Sequence, residues 1–295
     1  MNFPERYASL LYKIKASLGE GPLWLVNTQE LIWVDINSGE VHCLNTITNR
    51  DTILYQGEKV SCVVSVSDVA FLIADTNKII RFNRALGESK TVLAIDFQNH
   101  NIRFNDGKVG PNGNFWLGTM DMHVTPYMGN LYRIDAAMYV SEMIQSVTIS
   151  NGLAWSLDSK TMYYIDTYKQ VVYALDFNTK SEISNKRIAI EIPTSQGAPD
   201  GMTIDSNGNL WIAMWGGFAV ACYNPNTGKI LKKIKIDAPH ITSCVFGGVE
   251  LDTLFITTAR EGLSQSELEK YPLSGSLFSV KLGVRGFAVN NYLIK

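Results

Sequence analysis

Residues 199–213 read PDGMTIDSNGNLWIA, and this stretch contains the unit from which the fold can be predicted. The acidic residue Asp200 precedes a short run with the composition of a β-strand, Gly201-Met202-Thr203-Ile204. A turn signal follows at Ser206-Asn207-Gly208, and a second apolar run begins at Leu210. One polar residue, a strand, a turn and another strand therefore form a unit that can be sought elsewhere in the chain.

This unit recurs along the chain at nearly even intervals. Its polar residue is found six times, in steps of 41, 44, 46, 49 and 43 residues, each time at the start of a strand-like run. A repeat of this length built from strands indicates propeller blades, one blade per repeat. A pair of β-sandwiches is the alternative, but it gives no reason for the period. The sequence thus predicts an all-β, six-bladed propeller. The six polar residues are Glu20, Ser61, Asn105, Asn151, Asp200 and Ser243.

The N-terminal segment is predicted to close the ring of blades. Residues 10–14 form a strand-like run before the first repeat, and we expect this run to pair beside residues 277–280 and 286–289. No linker rich in proline, glycine or serine interrupts the repeat. Residues 1–295 are therefore predicted to form a single β-propeller domain.

Composition excludes several kinds of partner and location. A hydrophobic content of 46% is ample for a core, and a net charge of −2 gives no basic stripe for nucleic acid. The apolar runs are far shorter than a membrane span, and the N-terminus lacks the layout of a secretory signal. We therefore expect a cytoplasmic protein that binds neither nucleic acid nor membrane. A monomer is expected, with a dimer left open, and the four cysteines are interpreted as packing residues.

Three of the repeated polar residues, Glu20, Asn151 and Asp200, are suited to hold a metal ion. In a six-blade count they belong to blades one, four and five, so their side chains can converge near the axis. Two carboxylates and an amide oxygen are hard ligands, and three ligands leave positions open for water and substrate. The alternative is that each is a turn residue beside a glycine. We predict one divalent metal ion, Ca²⁺ first, with Zn²⁺, Mn²⁺ and Mg²⁺ as alternatives.

The third repeat adds a candidate substrate-binding pair. Arg103 and Asn105 lie two residues apart in a strand-like run, so both side chains point the same way. A guanidinium offers forked donors that hold hydroxyls or a carboxylate. A salt bridge to a neighbouring blade is the alternative for Arg103. By the same alternation, Asp106 is expected to point away from this face and to brace the turn.

Sequence blocks spread over most of the chain resemble those of a known family. They read GEGPLW, RFNDGKVGPNGNFWLGTM, ISNGLAWSLDSKTMYYID, PDGMTIDSNGNLWIA, TSCVFGG and LGVRGFA, from about Leu18 to Ala288. In this order they resemble the SMP-30/gluconolactonase/regucalcin family. The resemblance implies a six-bladed propeller with a divalent metal on the axis, and hydrolysis of sugar-acid lactones. It also implies roles for particular residues: metal binding for Glu20, Asn151 and Asp200, and substrate binding for Arg103 and Asn105.

One position departs from the pattern of this family. In regucalcin-like members, an acidic pair follows the GTM block, and its second glutamate touches the substrate. Here the run is Gly118-Thr119-Met120-Asp121-Met122-His123, so His123 occupies that position. We therefore predict that His123 binds substrate and alters the choice of sugar. The alternative is that His123 is a residue of a surface loop.

The predicted reaction is the metal-dependent hydrolysis of an aldonolactone to its aldonic acid, with a small sugar lactone as the partner. The metal would act as a Lewis acid, and Asp200 would be both a metal ligand and the catalytic general base. No GxSxG motif points to a serine nucleophile. Two alternatives keep the site: a hydrolase of another ester or phosphoester, and a calcium-binding regulatory protein with incidental lactonase activity. An interaction scaffold is disfavoured, because WD and GH signatures are absent.

Overall fold

A computed structural model describes residues 6–294, which form a protein built mostly of β-strands. Two short strands come first, β1 (Arg6–Tyr7) and β2 (Ser9–Tyr12). Four antiparallel sheets of four strands follow along the chain. The first contains β3 (Gly19–Leu25), β4 (Glu30–Asp35), β5 (Glu40–Asn45) and β6 (Arg50–Gln56). The second contains β7 (Val60–Ser67), β8 (Ala70–Asp75), β9 (Lys78–Asn83) and β10 (Glu88–Ala94). The third contains β11 (Ile102–Val109), β12 (Phe115–Asp121), β13 (Gly129–Ile134) and β14 (Val140–Val147). The fourth contains β15 (Ser150–Trp155), β16 (Thr161–Asp166), β17 (Val171–Phe177) and β18 (Ile183–Glu191).

The remaining strands belong to one larger sheet of nine strands, which also includes β1 and β2. Its other members are β19 (Ala198–Ile204), β20 (Leu210–Trp215), β21 (Ala219–Asn224), β22 (Lys229–Lys235), β23 (His240–Gly247), β24 (Thr253–Ala259) and β25 (Leu277–Lys281). The short helix α1 (Gln265–Lys270) lies between β24 and β25, and 3₁₀ turns span Thr167–Lys169 and Thr194–Gln196. No helix in residues 6–294 has the length and apolar character needed to cross a membrane.

The prediction of a six-bladed propeller is wrong in its number of blades. The molecule is all-β and propeller-like, but only four of the sheets in residues 6–294 are separate four-stranded blades. The last residue of β20, Trp215, pairs with the first residue of β23, His240, and this pairing merges the strands from β19 onward into one sheet. A sequence period counts repeated units, but it does not show whether neighbouring units also pair with each other.

The predicted pairing of the N-terminal strand with residues 277–280 is confirmed, and the predicted pairing with residues 286–289 is not. Strand β2 runs antiparallel to β25, with Ser9 opposite Ser279 and Leu10 opposite Phe278. Residues 286–289, which were also expected to take part, lie in no strand. In addition, β1 pairs in parallel with β22, so the N-terminal segment is held at both edges of the nine-stranded sheet.

The core lies between neighbouring sheets and is rich in large aromatic side chains. The second strand of several repeats supplies one of them, and Trp33, Trp116 and Trp211 are almost completely buried. Trp24 of the first sheet stacks on Phe255 of the nine-stranded sheet, with ring centroids 4.8 Å apart. Burial of an apolar side chain of this size contributes roughly 1.5–3 kcal/mol, so these aromatic layers hold the sheets side by side.

Candidate active site

The strands that carry the repeated polar residues surround a common axis. Strand β3 contacts β7, and the contacts continue in order through β11, β15, β19 and β23, which returns to β3. Each of these strands has a register shift at its polar residue, as in a β-bulge. A bulge bends the strand and breaks the alternation of its side chains. All the predicted polar residues are buried at these bulges: Glu20, Ser61, Asn105, Asn151, Asp200 and Ser243.

Glu20 is held at the start of β3 in a position that opposes its ionisation. The backbone N–H of Gly21 donates to Oε2 of Glu20 at 2.8 Å. Burial raises the pKa of Glu20 to about 8, and the nearby negative charge of Asp106 contributes to the same shift. Gly21 has a φ of 51°, a left-handed conformation that glycine adopts without strain. The bulge at Glu20 therefore depends on the glycine that follows it.

Arg103, Asn105 and Asn151 form a continuous series of hydrogen bonds. Nη1 of Arg103 donates to Oδ1 of Asn105 at 2.7 Å, and Nδ2 of Asn105 lies 3.3 Å from Oδ1 of Asn151. Nδ2 of Asn151 donates to Thr167 Oγ1 at 2.9 Å. Among residues 6–294, Arg103 forms no ion pair, so the salt-bridge alternative is not what the structure contains. These bonds fix the guanidinium and the two amides relative to one another.

Asp200, which is buried, and Asp106, which is half-buried, complete a group of carboxyl groups around the axis. Burial raises the pKa of Asp200 well above its ordinary value, and the charges of Glu20 and Asp106 raise it further. Burial also raises the pKa of Asp106. Asp106 lines the axial cavity, which Arg103 and Asn105 do not line, so the expectation that Asp106 points away from their face stays a prediction. The register of β11 shifts between Phe104 and Gly107, where these side chains lie.

The axial cavity has a volume of about 470 Å³ and begins beside the site. Its wall includes Gly21 and Ser243 as well as Asp106, whereas Glu20, Asn151 and Asp200 do not line it. Lys108, also in the wall, donates from Nζ to the carbonyl oxygen of Met202 at 2.7 Å. Residues 287–290 lie at the cavity as well. The cavity thus extends from the buried carboxyl groups toward the C-terminal segment.

His123 is not part of the hydrogen-bonded series. It lies in the exposed loop between β12 and β13, where its backbone N–H donates to Oδ1 of Asp121 at 2.8 Å. Within residues 6–294 its imidazole ring forms no hydrogen bond. This position agrees with the alternative that His123 is a residue of a surface loop. Substrate binding by His123 stays a prediction.

The chemistry of the site fits a hard divalent cation. Burial and neighbouring carboxyl groups raise the pKa values of Glu20 and Asp200, and the positive charge of Arg103 opposes the shifts only in part. No cluster of three or more His, Cys, Asp or Glu side chains in residues 6–294 could hold a metal ion. A cation would therefore need the amide oxygen of Asn151 beside the two carboxylates. This donor set matches oxygen-seeking ions such as Ca²⁺.

Thr167 was missed by the sequence interpretation. It begins the 3₁₀ turn after β16, accepts the Asn151 amide and donates from Oγ1 to the carbonyl oxygen of Pro199 at 2.7 Å. It therefore ties β15 to the start of β19, next to Asp200. The sequence offered one indication of this role: Thr167 directly follows Asp166 at the end of the second strand of its repeat.

Fold and site together define a propeller-like β-protein with carboxylates, amides and a guanidinium buried around its axis. The chain belongs to the family described as SMP-30/Gluconolactonase/LRE-like region, which matches residues 18–260. The family resemblance seen in the sequence is thereby confirmed.

Relatives of this chain match it over nearly its whole length. Regucalcin of Danio rerio is 36% identical over 289 residues, 95% of this chain and 96% of that protein. A Bacillus subtilis protein named "Putative sugar lactone lactonase YvrE" is 32% identical over 274 residues, 92% of this chain and 94% of its own. The structure of a calcium-binding protein, regucalcin, from Agrobacterium tumefaciens superposes with a TM-score of 0.93. It covers 98% of this chain and 99% of that one, and at 24% identity it shows the fold alone.

Proposed function

We propose that this protein is a metal-dependent lactonase that hydrolyses a sugar-acid lactone to the open-chain acid. The observation that carries the proposal is the buried series Arg103–Asn105–Asn151, which lies among strand ends that also bear Glu20 and Asp200. Family membership and the name of the Bacillus relative support the same activity. We further propose that the protein acts as a monomer on a small lactone.

In this proposal Glu20, Asn151 and Asp200 hold the divalent ion. Calcium is the first candidate, in line with the Agrobacterium protein described as calcium-binding. When bound, the ion would supply a Lewis acid that polarises the lactone carbonyl. The two carboxylates would supply negative charge, and the Asn151 amide a neutral oxygen, so the site would favour a cation with open positions.

Asp200 is the proposed general base. Because burial raises its pKa, its carboxylate accepts a proton more readily than that of an ordinary aspartate. Asp200 would take a proton from water as the water oxygen forms a bond to the carbonyl carbon. When the bond from that carbon to the ring oxygen breaks, the same proton would pass to the ring oxygen. The products are a carboxylic acid and a hydroxyl group, so atoms and electrons balance.

Arg103 is the proposed anchor for the sugar. Its Nη1 is used inside the protein, on Asn105 and on the carbonyl oxygen of Phe104. Within residues 6–294, Nε and Nη2 have no hydrogen-bond partner, and they would donate to hydroxyl groups of a bound ring. Asn105 would act mainly by holding Arg103 and Asn151 in place, because both ends of its amide are already engaged.

A lactone panel with purified full-length protein tests the proposal. Protein stripped with chelator is assayed against five- and six-membered aldonolactones, above the spontaneous rate, with Ca²⁺, Mn²⁺, Zn²⁺ or Mg²⁺ added back. We expect activity that is lost with chelator and restored by at least one of the ions. Hydrolysis of simple aryl esters without hydrolysis of any lactone would refute the lactonase proposal.

A further inference from the structure

A loop after β24 stands at the same end of the molecule as the proposed site. Strand β24 runs antiparallel to β23, so it ends where the axial strands begin. Its last residue, Ala259, forms a bridge with Leu18, two residues before Glu20. The backbone N–H groups of Arg260 and Glu261 both donate to the carbonyl oxygen of Ser17, at 3.0 and 2.8 Å. Glu261 is therefore fixed at the rim of the site.

The Glu261 carboxylate is exposed and held in one direction. Nδ2 of Asn37 donates to its Oε2, and Asn37 in turn accepts a hydrogen bond from Nζ of Lys59 at 3.1 Å. Within residues 6–294, Oε1 of Glu261 has no hydrogen-bond partner. Among the charges that act on the Arg103 guanidinium, Glu261 has the largest effect, ahead of Glu20 and Asp200, although burial lowers the pKa of Arg103. The charge of Glu261 thus reaches the Arg103 guanidinium from the rim of the site, and the acceptor atom Oε1 of Glu261 has no partner within residues 6–294.

An aromatic pair adjoins Glu261. Nδ1 of His240 lies 2.9 Å from the Glu261 carbonyl oxygen, and the His240 ring stacks on Trp215 at 4.1 Å between centroids. Trp215 is paired with Ala198, two residues before Asp200. A carboxylate at the rim of the site with an unused oxygen, whose charge acts on a guanidinium with donors unused within residues 6–294, suits a ring that carries several hydroxyl groups. The carboxylate accepts hydrogen bonds from hydroxyls, and the guanidinium donates to them.

We propose that Glu261 binds hydroxyl groups of the lactone ring, together with Arg103, and so selects polyhydroxylated lactones over unsubstituted ones. This inference rests on the proposed lactonase function. An ionised carboxylate only accepts hydrogen bonds, whereas the imidazole of His123 in its exposed loop must also donate. Glu261 therefore supplies an acceptor that position 123 lacks in this chain.

The variant Glu261→Gln tests the inference, because glutamine keeps the shape but loses the charge and one acceptor. Glu191→Gln, at an exposed glutamate on the outer strand β18, is the matched control. KM and kcat are measured for glucono-δ-lactone and for δ-valerolactone, which has no hydroxyl groups. We expect Glu261→Gln to raise KM for the hydroxylated lactone roughly 10- to 100-fold, the range for one hydrogen bond to a charged group. The other expectations are an unchanged kcat, an unchanged KM for δ-valerolactone and no effect of Glu191→Gln.

Three outcomes would overturn the inference. They are an unchanged KM of Glu261→Gln for glucono-δ-lactone, an equal rise of its KM for both lactones, or a rise of the same size in the KM of the control Glu191→Gln.

If the wild-type protein hydrolyses no lactone, the proposed function fails by itself. Calorimetric binding of gluconate and of sorbitol then decides the role of Glu261. Weaker binding of both ligands by Glu261→Gln than by Glu191→Gln supports the role, and equal binding refutes it. Glu261→Asp, which keeps the charge, should lie between the wild type and Glu261→Gln in either assay.

Discussion

Carboxyl groups whose burial is only partly compensated by the charge of Arg103 are the main electrostatic feature of this protein. Burial raises the pKa of both Glu20 and Asp200, the charge of Asp106 raises both further, and the charge of Glu20 adds to the shift of Asp200. Replacing one of them with a neutral isostere removes part of this repulsion. The same replacement removes a proposed anionic ligand for the metal. Stability without metal and stabilisation by metal should therefore change in opposite directions.

Asp200→Asn tests this separation. At pH 8 the chelator-treated variant should melt at a higher temperature than the wild type, because asparagine avoids the cost that burial and the neighbouring carboxyl groups impose on a titratable side chain at this position. Addition of Ca²⁺ should raise its Tm less than that of the wild type, and lactonase activity should fall by about 100-fold or more. Asp237→Asn, at an exposed aspartate, is the control and should behave as the wild type. Wild-type activity in Asp200→Asn would remove Asp200 from the mechanism.

His240 should make stability depend on pH below neutrality. Burial lowers its pKa from the ordinary value of 6.5, and hydrogen bonding to Glu261 and the charges of Glu261 and Glu267 oppose the shift only in part. Between the lowered pKa and 6.5 the unfolded chain binds more protons than the folded one. The stabilisation is therefore complete above about pH 6.5 and is lost as the pH falls through the folded-state pKa. Melting curves from pH 7.5 to 5 should show a smaller acid-induced loss of Tm for His240→Gln than for the wild type. Equal losses would show that His240 does not titrate with unfolding.

Strand positions could be predicted from the sequence far better than the bulges within them. Glu20, Asn151 and Asp200 were found because each precedes a strand-like run at the same point of the repeat. The side-chain direction of Asp106 could not be fixed by alternation, because the register of β11 shifts at this point. Glu261 was overlooked because its place at the rim of the site depends on the bridge between Leu18 and Ala259, which no local pattern encodes. The pairing of β20 with β23 escaped prediction for the same reason.

The bulge at the start of β3 gives a test of how strand geometry controls the site. Gly21 and Gly87 both have positive φ, of 51° and 68°. Gly87 lies in the turn between β9 and β10, and an added Cβ would meet nothing within 4 Å. Alanine in this conformation costs roughly 1–2 kcal/mol at either position. Gly21→Ala and Gly87→Ala should therefore lose similar stability, whereas only Gly21→Ala should also weaken Ca²⁺ binding. Equal calcium affinities for both variants would show that the bulge does not position Glu20.

The N-terminal strands lie in one sheet, whereas the C-terminal segment connects separate sheets. Strand β2 completes the nine-stranded sheet, and residues 282–294 cross several repeats without regular secondary structure. The backbone N–H of Ser206 donates to the Arg285 carbonyl oxygen at 2.8 Å, and that of Leu293 donates to the Gly113 carbonyl oxygen at 3.0 Å. Contacts between residues so distant in sequence give a repeat protein cooperativity that its repeats, taken singly, do not have.

Tyr292 is the residue through which this C-terminal segment should stabilise the whole molecule. Its side chain is 2% exposed, its backbone N–H donates to the Ser65 carbonyl oxygen at 2.7 Å, and its hydroxyl donates to the Asp135 carbonyl oxygen. It thereby joins β7 of the second sheet to the turn after β13 of the third.

Tyr292→Phe removes only the hydroxyl and should lower the free energy of unfolding by about 1 kcal/mol. Tyr292→Ala also leaves a cavity and should lower it by about 3–5 kcal/mol. Tyr139→Ala, at a side chain that is 69% exposed, should cost less than about 0.5 kcal/mol. Urea unfolding of the three variants measures these differences, and a Tyr292→Ala midpoint equal to that of Tyr139→Ala would show that the C-terminal segment does not stabilise the fold.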